Sequence, residues 1–157
     1  MLDPYNSIAF NERGVIYQNL NQLQQALTDL NQAIALNPGN ADALVNRANT
    51  FLRLNQPQQA IIDLDQAIVL DPYDGITYNS RGDVYRSLKN YVKAEKEYKK
   101  AIQLNMYVAY YNLGLNYFLM GKPYHSIYAY LQGFLTDKDV LLVMKTLSIE
   151  DIISGRF

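Results

Sequence analysis

Catalysis in this chain would have to be assembled from very few side chains. His125 is the only histidine and cysteine is absent, so disulfides and thiolate metal sites are excluded. No second histidine or acidic ladder stands near His125 to complete a metal ligand set. Asp29 in DLNQA and Asp63 and Asp65 in DLDQA are the remaining candidates, because paired carboxylates are what acid–base hydrolysis of a glycoside requires. They are read on the outer side of their helices, facing solvent, with no cleft implied. There is no Gly-rich phosphate loop, no HExxH pair and no nucleophile elbow. The expectation is a non-enzymatic protein with no catalytic residue, no metal and no cofactor. With 14 Lys and Arg against 15 Asp and Glu, the formal charge is -1, which gives no basic footprint for nucleic acid. The chemistry left is recognition, by asparagines that donate and accept and by tyrosines with a large apolar ring and a polar tip. Seven of the 14 tyrosines fall between Tyr107 and Tyr130.

The elements that carry these residues repeat. Gly82 aligns with Gly14 and Ala48 at steps of 34 residues, as do Arg81 with Arg13 and Arg47, Tyr85 with Tyr17 and Phe51, Ala94 with Ala26 and Ala60, and Ala101 with Ala33 and Ala67. Such a period is the signature of a helical solenoid. Spacings of three and four predict helices over 7–20 and 23–36, 41–54 and 57–70, and 75–88 and 91–104. Asn37-Pro38-Gly39-Asn40 and Asp71-Pro72 close the first two pairs. Pro57 and Pro123 suit first-turn positions that need no amide donor. The fourth pair is shifted: Gly114 follows Gly82 by 32 residues, so two are missing at Asn105-Met106 before a helix over 107–120 and its partner over 123–135. A last helix over 138–153, with Val140, Leu141, Met144, Leu147 and Ile152, reads as a C-terminal cap. One domain, 1–157, results, with repeats near 7–40, 41–74, 75–106 and 107–137. Glycine inside a helix costs about 0.8–1 kcal/mol; at Gly14, Gly82 and Gly114 the reason is close helix approach, with Ala26, Ala60 and Ala94 facing.

These offsets resemble the tetratricopeptide repeat family. The pattern stands as Phe10, Arg13-Gly14, Tyr17, Ala26, Leu30, Ala33 and Pro38, then Leu44, Arg47-Ala48, Phe51, Ala60, Leu64, Ala67 and Pro72, then Tyr78, Arg81-Gly82, Tyr85, Ala94, Tyr98 and Ala101. The fourth copy keeps Tyr110, Leu113-Gly114, Tyr117 and Tyr130 and departs at Ser126, Gly133 and Lys138. The resemblance implies an all-α fold, a right-handed superhelical solenoid of antiparallel helix pairs whose first helices line a concave groove. Lining positions are then Ile8, Asn11, Glu12, Val15 and Gln18; Asp42, Val45, Asn46, Asn49 and Arg53; Ile76, Asn79, Ser80, Asp83 and Arg86; and Val108, Tyr111, Asn112, Leu115 and Phe118. The first three quarters are polar and the last apolar. A peptide or partner helix would lay its backbone along Asn46, Asn49, Asn79 and Asn112 and anchor an apolar side chain on Tyr111, Leu115 and Phe118.

The implied activity is that of a protein–protein interaction scaffold. The family's carboxylate-clamp subgroup, which binds chaperone C-terminal tails, is a poor match: Asn11, Val15, Ile76 and Ser80 replace its lysine, asparagine and basic positions, and Asn46 alone fits. Two alternatives stay open. The last helix could fold over the apolar quarter, or the chain could self-associate, through that patch or through the amino-terminal side where Ala9 and Ile16 would meet a neighbour. MLDPY repeats the LDPY of residues 70–73, so the chain also reads as a fragment of a longer array. No apolar run reaches the roughly 18 residues of a membrane span and the start lacks a signal-peptide pattern, which makes a cytoplasmic protein the expectation.

Overall fold

A computed structural model describes residues 6–135, together with 139 and 142. The expected helix over 138–153 lies outside the described residues apart from those two positions. Eight helices follow in order: α1 (Ser7–Asn19), α2 (Leu23–Leu36), α3 (Ala41–Arg53), α4 (Pro57–Leu70), α5 (Gly75–Ser87), α6 (Tyr91–Gln103), α7 (Ala109–Leu119) and α8 (Pro123–Phe134). Among the described residues there is no strand. Consecutive helices pack as antiparallel pairs and the pairs stack into an all-α solenoid. The first helices touch in succession, α1 to α3 to α5 to α7, whereas no second helix reaches another. The first helices therefore form the inner side of the curve and the second helices its outer side.

Local chemistry sets the helix ends. Asn6, Asn40 and Asp74 cap α1, α3 and α5, their side chains accepting from the amides of Ala9, of Ala43, and of Ile76 and Thr77. At the equivalent place before α7 stands Met106, which offers no acceptor. That helix begins at Ala109 with Val108 as an uncapped start, two residues later than the spacing predicts. Between the helices of each pair, the amides of Gln22, Gln56, Asn90 and Lys122 reach back to the carbonyls of Tyr17, Phe51, Tyr85 and Tyr117 at 2.8–2.9 Å. Each of these turns needs one left-handed residue, supplied by Asn21, Asn55, Lys89 and Gly121 at φ of 58, 58, 58 and 72°.

Inside each pair, the helical glycines make room for a large side chain. A Cβ on Gly14 would meet Leu30 Cγ at 2.8 Å, on Gly82 Tyr98 Cε1 at 2.5 Å, and on Gly114 Tyr130 Cε1 at 2.9 Å. The neighbours that exclude a side chain are therefore these residues, one turn beyond the alanines the sequence suggested. Tyr98, Leu30, Leu44 and Leu64 are fully buried and fill the core of their pairs.

The aspartates need a correction. Asp29 and Asp63 do not face solvent: they are 4% and 3% exposed. On α2, Asp29 shares one buried stripe with Ala26, Leu30 and Ala33. Each is held by an arginine of the preceding first helix, Arg13 Nη2 on Asp29 Oδ1 and Arg47 Nη2 on Asp63 Oδ1, both at 2.7 Å, and Arg81 Nη2 holds the buried Glu97 at 2.8 Å. Charged groups enter a core only when paired in this way. The same guanidiniums also reach back one repeat, Arg47 Nη1 to Asn31 Oδ1 at 2.8 Å and Arg81 Nη1 to Asp65 Oδ1 at 2.7 Å. Arg47 and Arg81 thus each tie their own pair and the pair before it. Its hydrogen bonds to the Asp29 carboxylate raise the Arg13 guanidinium above its ordinary value. Burial works against Arg81, but its bonds to Glu97 and Asp65 outweigh burial and hold it high too. In the fourth pair the two positions are Leu113 and Ala129, both buried in one apolar cluster.

Candidate functional site

The inner face is built by α1, α3, α5 and α7, and the structure shows what its predicted residues do to one another. Asn46 Nδ2 donates to Asn11 Oδ1 at 3.0 Å, and Asn112 Nδ2 donates to Asn79 Oδ1 at 2.9 Å. These two bonds are equivalent to each other, each joining a first helix to the next one along, so the asparagines stitch repeat one to two and three to four. The intervening seam has Val45 and Ser80 at those positions and no such pair. The Asn11–Asn46 pair leaves one NH2 and one C=O with remaining capacity, the complement of a peptide unit, whereas in the second pair the Asn112 C=O also accepts from Arg86 Nη1 at 3.5 Å and Asn79 is buried. Asn49 is half-buried. Arg53 is committed to the neighbouring turn, donating to the Gln18 carbonyl at 2.7 Å and to Asn21 Oδ1 at 3.1 Å. Gln18 is itself buried, and its amide donates to the Asn46 carbonyl. A small cleft of about 250 Å³ opens here, lined by Asn11, Asp42, Val45, Asn46, Asp74 and Ile76.

Further along, Asp83, Arg86, Tyr98 and Asn112 form one network. Asp83 Oδ1 accepts from Arg86 Nη2 at 2.7 Å and from the Tyr98 hydroxyl at 2.8 Å. Burial outweighs Arg86 and Tyr98 and holds the Asp83 carboxyl above the usual carboxylate range. Burial also drives the Tyr98 phenol far above its ordinary value, helped by the charge on Asp83. The Tyr98 hydroxyl is the donor in this bond and the Asp83 carboxylate the acceptor.

Beyond Asn112 the face turns apolar. Tyr111 is 56% exposed, Phe118 64% and Leu115 38%. Tyr111 is fixed by edge contacts with Tyr130 at 5.0 Å and Phe134 at 6.0 Å between ring centroids. Three large apolar side chains on one helix face thus stand beside the Asn112–Asn79 pair. Of the other tyrosines in this region, Tyr117 is buried, its hydroxyl donating to Glu95 at 3.0 Å, and Tyr107, Tyr124 and Tyr128 are exposed. His125 lies against the Tyr117 ring at 5.3 Å. Among the described residues no three His, Cys, Asp or Glu side chains gather as a metal site, and no helix is long and apolar enough to cross a membrane.

Comparison with known proteins agrees with this architecture. Family models described as tetratricopeptide repeat match residues 11–75 and 76–106. Pseudomonas aeruginosa PilF is similar in fold, at a TM-score of 0.75 and 24% identity over 92% of this chain and 68% of that one. The Arabidopsis OM64 TPR domain is 33% identical over 62% of this chain and 81% of its own, with a TM-score of 0.61. The first TPR of Spaghetti (RPAP3), solved with an HSP90 peptide, reaches a TM-score of 0.68 at 22% identity, covering 76% of this chain and 97% of that one. A search of curated proteins found no match. With the repeat models spanning most of its helices and its helix pairs stacked in the same way as these solenoids, the chain belongs to the tetratricopeptide repeat family.

Proposed function

We propose that the chain is a non-catalytic protein-interaction module that takes a peptide segment or partner helix on its inner face. The observation that carries this is the placement of Tyr111, Leu115 and Phe118, exposed on one face of α7, beside the Asn112–Asn79 pair and Arg86. Aromatic anchors dominate interface energies when desolvated, and the Asn11–Asn46 pair offers a donor and an acceptor to a passing backbone. The RPAP3 domain, which holds an HSP90 peptide, supports the class of partner. Its kind of ligand is not transferred: the positions where a carboxylate clamp needs basic residues hold Asn11, Ile76 and Ser80.

The test is photo-crosslinking from position 118 in cells of the source organism, repeated with Leu115→Ser/Phe118→Ser by affinity capture. Partners that crosslink to the parent and are lost from the double variant, with helical circular dichroism unchanged, support the reading. A variant that keeps all partners, or that loses its helicity because these residues belong to an internal core, overturns it.

A second reading, self-association through the amino-terminal edge, is favoured by Ile16. It is 56% exposed, whereas its equivalents Thr50, Val84 and Asn116 are fully buried against the preceding repeat. Light scattering decides it. A concentration-independent monomer mass removes it, and a dimer that Ile16→Asp dissociates supports it.

A further inference from the structure

We infer that the outer face of the third repeat is a second interaction surface, for an acidic segment of another protein. It is independent of the inner-face reading. Five of the 14 basic side chains, Lys89, Lys93, Lys96, Lys99 and Lys100, fall on or next to α6. The corresponding helices α2, α4 and α8 contain no lysine or arginine at all. At the positions of Lys93, Lys96 and Lys100 the first repeat has Gln25, Thr28 and Gln32 and the second Gln59, Ile62 and Gln66, all on equally helical backbones. The fold does not need charge there.

The two acids of this stretch are already engaged. Glu97 is buried under Arg81, and Glu95 accepts from Lys99 Nζ at 2.7 Å and from the Tyr117 hydroxyl. Lys99 is accounted for structurally: its equivalents Asn31 and Asp65 receive the next repeat's arginine, and the fourth repeat has none to offer. Lys93, Lys96 and Lys100, spaced three and four apart along one face of α6, have no carboxylate partner among the described residues. The Lys93 ammonium lies over the Tyr85 ring at 5.2 Å and that of Lys100 over the Tyr78 ring at 5.9 Å; Lys93 and Lys96 are exposed and Lys100 is half-buried.

Lys96 and Lys100 border, with Lys99, a cleft of about 640 Å³ that is also lined by Tyr78 and Arg81 of α5 and by the exposed Val92. Basic heads above an apolar ring and an exposed valine fit a segment in which carboxylates alternate with apolar side chains. A nucleic acid is a poorer fit, because the one half-buried ring in this cleft, Tyr78, gives no run of aromatic platforms on which successive bases could stack.

The probe is a fluorescein-labelled dodecapeptide of alternating Glu and Leu, followed by anisotropy in 0.15 M salt beside a Gln/Leu counterpart and a twelve-residue oligothymidylate. Expected are 1:1 binding at least tenfold tighter than either comparison probe, and at least a tenfold loss in Lys96→Glu/Lys100→Glu. The gentler Lys96→Gln/Lys100→Gln, which copies side chains the other repeats carry at or near these positions, should show a smaller loss in the same direction with the fold intact. Leu115→Ser/Phe118→Ser should leave this affinity within twofold. Equal binding of the Gln/Leu peptide, equal or tighter binding of the oligothymidylate, or a loss confined to the inner-face variant each overturns the proposal.

Discussion

Where the first three helix pairs set Arg13, Arg47 and Arg81 against Asp29, Asp63 and Glu97, the fourth sets Leu113 against Ala129, with the same helices at nearly the same places. The difference teaches that the ion pair is one of two solutions to a single packing position. The charged solution adds a reach to the preceding repeat, through Asn31 and Asp65, and so couples neighbours in register. The apolar solution gives that up. It coincides with a first helix, α7, that lacks a side-chain cap and carries three exposed apolar residues on its inner side. On the inner face, repeats one and three expose Ile8 and Ile76 singly among polar neighbours, whereas repeat four presents Tyr111, Leu115 and Phe118 together.

The largest effect is expected from breaking that pairing halfway. Arg47→Leu leaves Asp63 charged and 3% exposed with no partner, and should cost about 3 kcal/mol in urea unfolding, in keeping with the cost of breaking a buried pair. Arg47→Leu/Asp63→Ala copies the fourth repeat's own solution and should recover most of the loss, to within about 1 kcal/mol of the parent. A double variant as unstable as the single one would mean that Leu113 and Ala129 are not an equivalent pair.

Much of this was legible beforehand, and the misses have physical causes. Residues at steps of 34 placed the first three helix pairs, since Gly14, Gly82 and the alanines repeat at fixed offsets, and Gly114 at a step of 32 placed the fourth except for the start of α7. The burial of Asp29 and Asp63 was missed because carboxylates are mostly exposed, yet two signals stood in the chain. Asp29 falls between Ala26 and Ala33 on the buried stripe, and a constant step of 16 joins each first-helix arginine to an acid. Met106 at the cap position likewise announced the late start of α7. The asparagine pairs could not be read in advance. Whether Asn46 meets Asn11 depends on the rotation between stacked repeats, which no local pattern encodes.

A smaller contrast concerns the glycines. Gly82→Ala drives a methyl to 2.5 Å from the fully buried Tyr98 ring, which Asp83 also holds by its hydroxyl, and should cost about 2 kcal/mol despite better helix propensity. At Gly114 the contact is 2.9 Å, to Tyr130, which is only half-buried and able to shift. There the propensity gain of about 1 kcal/mol offsets the contact, and Gly114→Ala should melt close to the parent. Equal losses at both sites would mean that the fourth pair is packed as rigidly as the third.

The smallest effect separates the same two repeats at a turn. Lys89 and Gly121 occupy one position, both left-handed, at φ of 58 and 72°. An L residue other than glycine or asparagine is strained there, because its Cβ crowds the following carbonyl. Nothing lies within 4 Å of a Cβ built on Gly121, so the difference between the two repeats at this point is backbone strain alone. Lys89→Gly should therefore stabilise the third repeat by about 0.5–1 kcal/mol, and Gly121→Lys should destabilise the fourth by a similar amount. Because both positions are exposed, the two changes should sum to nearly zero when combined. If Lys89→Gly instead lowers stability, the aliphatic stem of Lys89 is packing on its surroundings more strongly than the turn is strained, and the third repeat's outer face is held by its lysines rather than merely decorated with them.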